Sequence, residues 1–421
     1  MAEATVTDRS DDNKKVAGNL VARIAWRNLW RNRRRTWLTA GGIAFASVIV
    51  SFAMAMQLGV YGAMIANSTL LLEGHMQVTH RNYPDDTKME QTVTEGTELV
   101  RELDRVSGVS VAPRVEAYAL ISADERSFAG LVVGVDFDRE PQVVTIFDNI
   151  KDGRLPSSDD EVFIGATMAR NLGIWVGDEL VVLGSAKAGG VAAMALKVAG
   201  IYSAPIVEIE RTMIFAPLTS VQNAFALADE VHKIVLKVSD AQNMERELAR
   251  VASVAGADRL TRPWSLVMPE LNQSIELDWL FGRILYGAIL MLVSFSVINT
   301  FVMIVFERTR EFGMLMAVGM RPGLIIRQVL TEALFVWLVG VALGLLIATC
   351  LIGWYYVEGV PVGDMGGMMD EFGLSDRLYP VFELQGFLTA PLVLLIGTQL
   401  AGVLATLKIR RINALEALRA D

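Results

Sequence analysis

Cysteine and histidine are almost absent from this chain. Its 421 residues include one cysteine, Cys350, and three histidines, at positions 75, 80 and 232. A single cysteine excludes a disulfide within the chain, so any soluble part of the protein must be held together by its own apolar core. The histidines have no partners at metal-ligand spacing, and no metal site is expected.

Charge is scarce in four long stretches. Residues 37–66, 280–306, 324–356 and 384–407 are apolar runs, each reaching the roughly 20 residues that a helix needs to cross a bilayer. The hydrophobic fraction of 52% and the mean hydropathy of +0.40 exceed ordinary soluble usage. These numbers indicate a membrane protein that also has a soluble domain.

Catalytic motifs are missing as well. The chain has no nucleophile elbow, and segment 184–190 resembles a phosphate-binding loop only in its glycines, because the Lys-Ser/Thr pair is absent. The net charge of −9 gives no reason to expect nucleic acid, since the basic residues cluster at the ends of the apolar runs. The sequence therefore predicts no catalytic residue and no cofactor bound by this chain.

The basic residues predict the orientation of the four runs. Arginines precede the first run at positions 27, 31 and 33–35, others lie between the second and third runs, and three basic residues follow the fourth. The short loop after the third run is acidic instead. We therefore expect both termini and the 307–323 connection in the cytoplasm, and the long segment 67–263 outside.

The expected fold is an α-helical membrane protein with four transmembrane helices and an extracytoplasmic α+β domain inserted between helices 1 and 2. The layout, in order, is a cytoplasmic N-terminus with an amphipathic interfacial helix (1–36), helix 1 with a stalk (37–66), the outer domain (67–263), a stalk with helix 2 (264–306), a cytoplasmic coupling helix (307–323), helix 3 (324–356), a short outer loop (357–383), helix 4 (384–407) and a cytoplasmic C-terminus (408–421). A plain basic anchor explains the N-terminal pattern equally well.

Local patterns divide the outer domain into strands and helices. Alternation predicts strands at 75–80, 130–135, 179–183 and 232–238, and helical spacing predicts helices at 165–172 and 241–254. Segment 187–195, rich in glycine and alanine, predicts a hairpin loop. An amphipathic helix is expected to begin at residue 264 and to lead into helix 2.

The connection between the second and third runs is the most informative segment. Its charged residues are Glu307, Arg308, Arg310 and Glu311, its apolar residues at helical spacing are Phe312, Leu315 and Met316, and Gly319 ends it. A plain connection needs only a few polar residues. This segment is therefore expected to dock on another protein.

Three further features lie within the apolar runs. Asn299 and Glu332 should lie at nearly the same depth, about 10–12 Å from the cytoplasmic ends of their helices, and Glu332 is expected to be hydrogen-bonded by Asn299 or capped by Thr300. The alternative is that Glu332 turns back towards Gln328 and Arg327 on its own helix. The GxxxG element at 340–344 favours close helix packing, either within the chain or with a second subunit. Two interpretations are open for a set of side chains within the runs: they line a substrate path, or they contact lipid or pack in the core. These residues are Met54, Leu58, Tyr61, Met291 and Phe295.

These segments carry a family resemblance. Residues 307–319, followed by 328–334, resemble the signature of the FtsX-like permease domain shared by macrolide-exporter (MacB-type) and lipoprotein-releasing (Lol-type) ABC transporters. Segments 26–33, 74–78, 164–174 and 411–419 agree with it, so the resemblance extends over nearly the whole chain. The four-span layout resembles the Lol-type branch most.

The resemblance implies a permease subunit of the bacterial inner membrane. Such a subunit pairs with the same or a homologous permease and binds a dimer of a separate cytoplasmic ATPase, which holds ATP and Mg, through residues 308–319. The function that the resemblance implies is mechanotransmission: ATP hydrolysis moves the outer domain, and this movement extracts a lipoprotein or lipid-like substrate from the inner membrane. Two alternatives remain: export of small molecules or peptides with an adaptor and an outer-membrane duct, or activation of a periplasmic cell-wall hydrolase. A periplasmic carrier is a further possible partner.

Overall fold

The computed structural model describes residues 21–83, 88–240, 243–361 and 377–407. These residues form two compact units. The first, here called the helical unit, takes its described residues from 21–61, 277–361 and 377–407; the second, the sheet unit, takes them from 62–276.

The helices are numbered along the chain. They are α1 (21–31), α2 (Arg33–Ser68), α3 (Gly96–Asp104), α4 (Glu140–Val143), α5 (Ala166–Leu172), α6 (Val207–Thr212), α7 (Leu218–Ala224), α8 (Met244–Ala255), α9 (Trp264–Val267), α10 (Pro269–Glu307), α11 (Thr309–Ala317), α12 (Pro322–Glu358) and α13 (Leu384–Leu407). A π-helical turn, Thr69–Glu73, continues α2, and a 3-10 turn covers Ile146–Asp148.

The strands are numbered in the same way. They are β1 (Met76–His80), β2 (Val109–Ala123), β3 (Arg126–Val135), β4 (Ile150–Gly153), β5 (Glu161–Gly165), β6 (Glu179–Ser185), β7 (Val191–Tyr202), β8 (Met213–Pro217), β9 (Lys233–Val238), β10 (Arg259–Pro263), β11 (Val360–Pro361) and β12 (Arg377–Leu378). The last two pair only with each other, in an antiparallel ladder.

Four helices of the described chain are long and apolar enough to cross a membrane. They are α2 with its π turn, α10, α12 and α13 up to Thr406, and they match the four predicted spans. Two glycines of α12 bring it against α2: a Cβ at Gly340 would lie 2.8 Å from the Ala40 carbonyl oxygen, and one at Gly344 would lie 2.8 Å from that of Ala44. The GxxxG element therefore packs within one chain, which decides between the two expectations.

The sheet unit is built on a mixed ten-stranded sheet. The strand order is β10-β1-β9-β2-β3-β8-β5-β7-β4, and β6 pairs with both β2 and β7. Strand β2 is central because it pairs with β3, β6 and β9. Its residues 117, 119 and 121 are buried and residues 118 and 120 are exposed, which is the alternation of a strand that covers a core on one face.

The structure confirms several local predictions and corrects two. Strands β1, β3, β6 and β9 and helices α5 and α8 lie where the patterns indicated them. Segment 187–195 is only partly a loop, because Val191 already pairs with Ser185 and begins β7. The helix expected from residue 264 is interrupted at Met268, where the following Pro269 disfavours helical backbone angles.

Candidate functional site

Glu332 is the centre of a polar cluster in the helical unit. Its side chain is 8% exposed, and the Arg308 side chain beside it is 11% exposed. Arg308 Nη1 donates to both carboxylate oxygens at 3.1 and 2.9 Å, Asn28 Nδ2 donates at 2.8 Å, and Gln328 Nε2, one helical turn away, donates at 3.1 Å. A buried carboxylate is costly without partners, and these donors supply them.

The cluster differs from the predicted pair and includes Gln328, one of the two residues that the alternative named. Among the hydrogen bonds of the described residues, none joins Glu332 to Asn299, and Asn299 is exposed on α10. Arg308 begins α11 directly after α10 ends, and its long side chain reaches back to the carboxylate. A cation neutralises Glu332 more completely than a neutral amide can, so the structure replaces the predicted Asn299 partner with Arg308.

Ion pairs also fix the start of α11. Arg308 Nε donates to Glu311 at 3.1 Å, and Arg31 Nη2 donates to both oxygens of the same carboxylate at 2.9 and 3.1 Å. Burial alone raises the pKa of Glu311, but the hydrogen bonds from Arg308 and Arg31 outweigh it, and its pKa lies below the usual value. Arg35 Nη2 donates to Glu307 at 2.8 Å. These bonds tie α11 to the α1–α2 region.

The short helix α11 has an inner and an outer face. Phe312 is fully buried under the Arg308 guanidinium, which lies 5.0 Å from the ring centre, and Leu315 and Met316 pack half-buried against the same core. These three predicted docking residues therefore anchor the helix.

Other residues lie on the outward face of α11 and just after its C-terminal end. They are Arg310, Met314, which is 51% exposed, and Val318, which is 89% exposed. Gly319 follows in a left-handed conformation with φ of +99° and ends the segment as predicted. Met314 and Val318 were not singled out from the sequence, although they lie one helical turn apart and the same spacing could have shown it.

The five residues of the predicted substrate path do not share one surface. Met54 and Leu58 pack beside Gly386 of α13, and Tyr61 is buried and donates its hydroxyl to Asp278 of α10. Met291 and Phe295 are instead 59% and 62% exposed on α10. The path remains a prediction.

The sheet unit contains a buried ion pair. The Arg114 side chain is 1% exposed and that of Glu140 is fully buried. Arg114 Nε and Nη2 donate to the two Glu140 oxygens at 2.6 and 2.7 Å, and Nη1 donates to the Leu72 carbonyl oxygen at 2.7 Å. The bidentate pair therefore holds the π turn that ends α2 against strand β2.

A second set of charges surrounds Lys233 of β9. Its Nζ lies 2.6 Å from Glu116 and 3.3 Å from Glu73, and Tyr83 donates to Glu116 at 2.7 Å. Burial alone lowers the pKa of Lys233, but the two carboxylates outweigh it and the pKa is raised. Burial raises the pKa of Glu116, but Lys233 and Tyr83 outweigh that effect and the pKa is lowered. Both groups are thus held in their charged forms.

Two histidines of the sheet unit are held neutral. Nδ1 of His75 accepts a hydrogen bond from the Val238 backbone at 3.1 Å, and Nδ1 of His232 accepts one from the Glu116 backbone at 3.0 Å. Burial lowers the pKa of both rings. Protonation at Nδ1 would break both bonds.

Acidification should therefore destabilise the sheet unit. Below pH about 6.5 the unfolded chain binds protons on its histidines, whereas folded His75 and His232 stay neutral to lower pH. Stability falls as pH drops through this range, by up to about 1.4 kcal/mol per pH unit for each histidine. Thermal unfolding at pH 7.5 and 5.5, followed by near-UV circular dichroism, should show the lower midpoint at pH 5.5. A His75→Asn/His232→Asn variant should lose most of this difference; an unchanged difference would contradict the assignment.

Metal-binding groups are not found in the described ranges. Within them, no three or more His, Cys, Asp or Glu side chains are placed to hold a metal ion. The sites that the described residues do form are ion pairs that fix one helix to another or a turn to a strand.

Family comparison identifies the protein. Residues 36–254 match the MacB-like periplasmic core domain, and residues 283–414 match the FtsX-like permease C-terminal domain. The chain belongs to this permease family. The FtsX-like match includes α11, Arg308, Gln328 and Glu332, whereas Asn28, Arg31 and Arg35 precede both matched regions.

Individual relatives of the permease include proteins named for lipoprotein release and for macrolide export. "Lipoprotein-releasing system transmembrane protein LolC" of Neisseria meningitidis serogroup B is 23% identical over 281 residues, covering 63% of this chain and 66% of that protein. "Macrolide export ATP-binding/permease protein MacB" of Bartonella henselae is 27% identical over 154 residues, covering 35% of this chain and 23% of that protein. The chain thus spans less than two thirds of the length of either relative.

A solved structure also matches the permease. The periplasmic region of MacB from Actinobacillus actinomycetemcomitans is 17% identical and covers 48% of this chain and 92% of its own, with a TM-score of 0.35.

Proposed function

We propose that this permease is a membrane subunit of an ABC transporter of the mechanotransmission type. In this proposal a separate cytoplasmic ATPase dimer binds ATP and Mg, and the permease passes its movement to the sheet unit. The substrate is a lipoprotein or lipid-like molecule taken from the bacterial inner membrane. The match to LolC, which extends over 63% of the chain, favours this substrate class.

The construction of α11 carries the proposal. A segment that receives force from another protein must be fixed to its own helices on one side and free on the other. The inner side of α11 has the buried Phe312 and the Arg308 ion pairs to Glu311 and Glu332. Its outer side presents Met314 and Val318. An exposed apolar pair that includes methionine, beside an arginine, suits a protein interface, where both residue types are enriched.

The proposal includes an orientation in the membrane. Residues 307–323 lie in the cytoplasm together with both termini, and the sheet unit lies in the periplasm, inserted between α2 and α10. The support is the distribution of basic residues around the four spans. The helical conformation of α2 through Ser68 also supports a stalk that leads to the sheet unit.

The docking face of α11 can be tested directly. Replacing Met314 and Val318 together with aspartate puts two charges into the proposed ATPase contact. We expect the affinity for the ATPase subunit that copurifies with the wild-type protein to fall by at least thirtyfold, corresponding to a loss of about 2 kcal/mol or more. Titration of the permease with the purified ATPase subunit measures this affinity. The Met314→Leu/Val318→Leu variant is the matched control and should bind normally.

The result separates docking from folding because both residues are exposed. Normal ATPase binding by the double aspartate variant, with a folded permease, would show that α11 is not the contact. A loss of binding accompanied by an unfolded helical unit would also count against an outward, non-structural role for these side chains.

A second candidate function rests on the MacB relative, whose name describes macrolide export. In that case the substrate is a small molecule or peptide, and the outer partner is an adaptor leading to an outer-membrane duct. Mass spectrometry of material bound to the complex with an ATPase trapped before hydrolysis distinguishes the two. Acylated protein supports the first function, and a small apolar molecule supports the second.

A further inference from the structure

An open groove lies where α1 meets α2. It is lined by Trp30, Leu38 and residues 31–35, and all but one residue of that range are arginines. Two of these arginines, Arg31 and Arg35, are the ones paired with glutamates of the segment that joins α10 and α11. The charges of these two are therefore balanced within the helical unit.

The other two arginines of the groove, Arg33 and Arg34, carry unbalanced charges. Both are exposed, and among the ion pairs and side-chain hydrogen bonds of the described residues none involves either of them. They lie at the start of α2, directly before the apolar run that begins at residue 37. In the proposed orientation this is the level of the phospholipid headgroups of the cytoplasmic leaflet, where basic residues attract anionic lipids.

The helix face that follows Arg34 is apolar and contains a depression. Leu38 and Phe45 are 78% and 64% exposed on it. Between them lies Gly42, about one turn from each, where a Cβ would meet no atom within 4 Å. Phe45 lies about 16 Å from Arg34 along the helix axis, and half of the roughly 30 Å hydrocarbon core is about 15 Å. This face is therefore as long as an acyl chain of one leaflet.

We propose that the groove and the adjoining α2 face bind an anionic phospholipid of the cytoplasmic leaflet. Arg33 and Arg34 hold the headgroup phosphate, because guanidinium groups donate paired hydrogen bonds to phosphate oxygens. An acyl chain lies in the depression over Gly42. Trp37, one turn after Arg33, is 49% exposed, as is typical of tryptophan at the level where headgroups meet acyl chains. A headgroup that carries its own positive charge is disfavoured beside two unpaired arginines.

This inference rests on the proposed orientation of α2 but on neither the ATPase nor the cargo. Its test is titration of the delipidated full chain in detergent with phosphatidylglycerol and, separately, with phosphatidylcholine of the same acyl chains. Native mass spectrometry counts the bound lipid. Phosphatidylglycerol should bind more tightly, and Arg33→Gln/Arg34→Gln should weaken its binding by about thirtyfold, corresponding to about 2 kcal/mol for two arginines. Equal affinity of the wild type for the two lipids would overturn the inference.

Two control variants distinguish a built site from general surface charge. Arg321→Gln/Arg327→Gln removes the same charge from exposed arginines at the start of α12 and should bind phosphatidylglycerol as the wild type does. An equal loss in both double variants would show diffuse attraction instead of a site. Gly42→Leu fills the depression without changing the charge and should weaken lipid binding by roughly threefold or more, since the acyl chain loses packing contacts.

Other ligands of the two arginines would give different results. Displacement of phosphatidylglycerol by sodium phosphate, together with unchanged lipid binding by Gly42→Leu, would replace the lipid with free phosphate. Normal lipid binding by Arg33→Gln/Arg34→Gln, with loss of the ATPase subunit, would make the patch a protein contact.

A further measurement separates this inference from the proposed orientation. Arg34→Cys, in a Cys350→Ala background, should be protected from a membrane-impermeant thiol reagent added to intact cells. Reaction with that reagent would remove the orientation itself. A protected Arg34→Cys, in a protein that shows no preference for phosphatidylglycerol, would overturn the lipid site alone.

Discussion

Replacing Glu140 with alanine should lower the free energy of unfolding of the sheet unit by about 3–5 kcal/mol. The substitution leaves the Arg114 guanidinium buried without its paired carboxylate, and among the described residues the Leu72 carbonyl oxygen remains as its hydrogen-bond acceptor. Chemical denaturation followed by near-UV circular dichroism measures the loss. The matched control is Glu98→Ala, which removes an exposed partner of Arg101 and should cost less than about 1 kcal/mol.

The double variant Arg114→Met/Glu140→Leu checks the physical reason. Apolar side chains of similar size leave no buried charge, and such replacements are often neutral or stabilising. The double variant should therefore recover most of the stability that Glu140→Ala loses. A double variant as unstable as the single one would show that the ion pair is needed for more than its own charge balance.

Replacing Glu332 with alanine should have the second largest effect, a loss of about 3–5 kcal/mol in the helical unit. Arg308 would keep Glu311 but lose the buried carboxylate that fixes its Nη1 atom. Thermal unfolding of the detergent-solubilised protein measures the loss. In the proposed transporter, ATPase activity should also become independent of the permease, because α11 is no longer held.

A pair of double-mutant cycles identifies the partner of Glu332. The cycle of Glu332→Ala with Arg308→Ala should give a coupling energy of about 1.5–3 kcal/mol, as residues in contact do. The cycle of Glu332→Ala with Asn299→Ala should be additive, because Asn299 is exposed and not bonded to the carboxylate. Coupling in the second cycle and additivity in the first would reverse the assignment made from the structure.

The features predicted best from the sequence are those with a long or strongly periodic signal. The four apolar helices and the short helix between the second and third of them were predicted because length and charge alone define them. Strand β7 was partly mistaken for a loop because alanines at 193 and 195 occupy its exposed face, where a strand normally shows polar side chains. Small residues hide the alternation on which strand prediction depends.

The site was predicted less completely because its partners are distant in sequence. The sequence predicts that Glu332 faces inward with a partner, and the structure confirms this. Depth along the helix axis does not show that the Arg308 side chain, which follows the end of α10, reaches back to the carboxylate. Asn28 lies 304 residues away from Glu332, and no local pattern links them. The anchoring role of Phe312 was missed for a similar reason, since amphipathic spacing identifies an apolar face without telling which surface covers it.

The close contact of α12 with α2 has a mechanical consequence. At Gly340 and Gly344 the α12 backbone lies directly against α2, with no side chain of α12 between them. In the proposed transporter, a push on the Arg308–Glu332 cluster would therefore move α12 against the α2 backbone at these two positions, and a larger residue at either glycine would force the two helices apart.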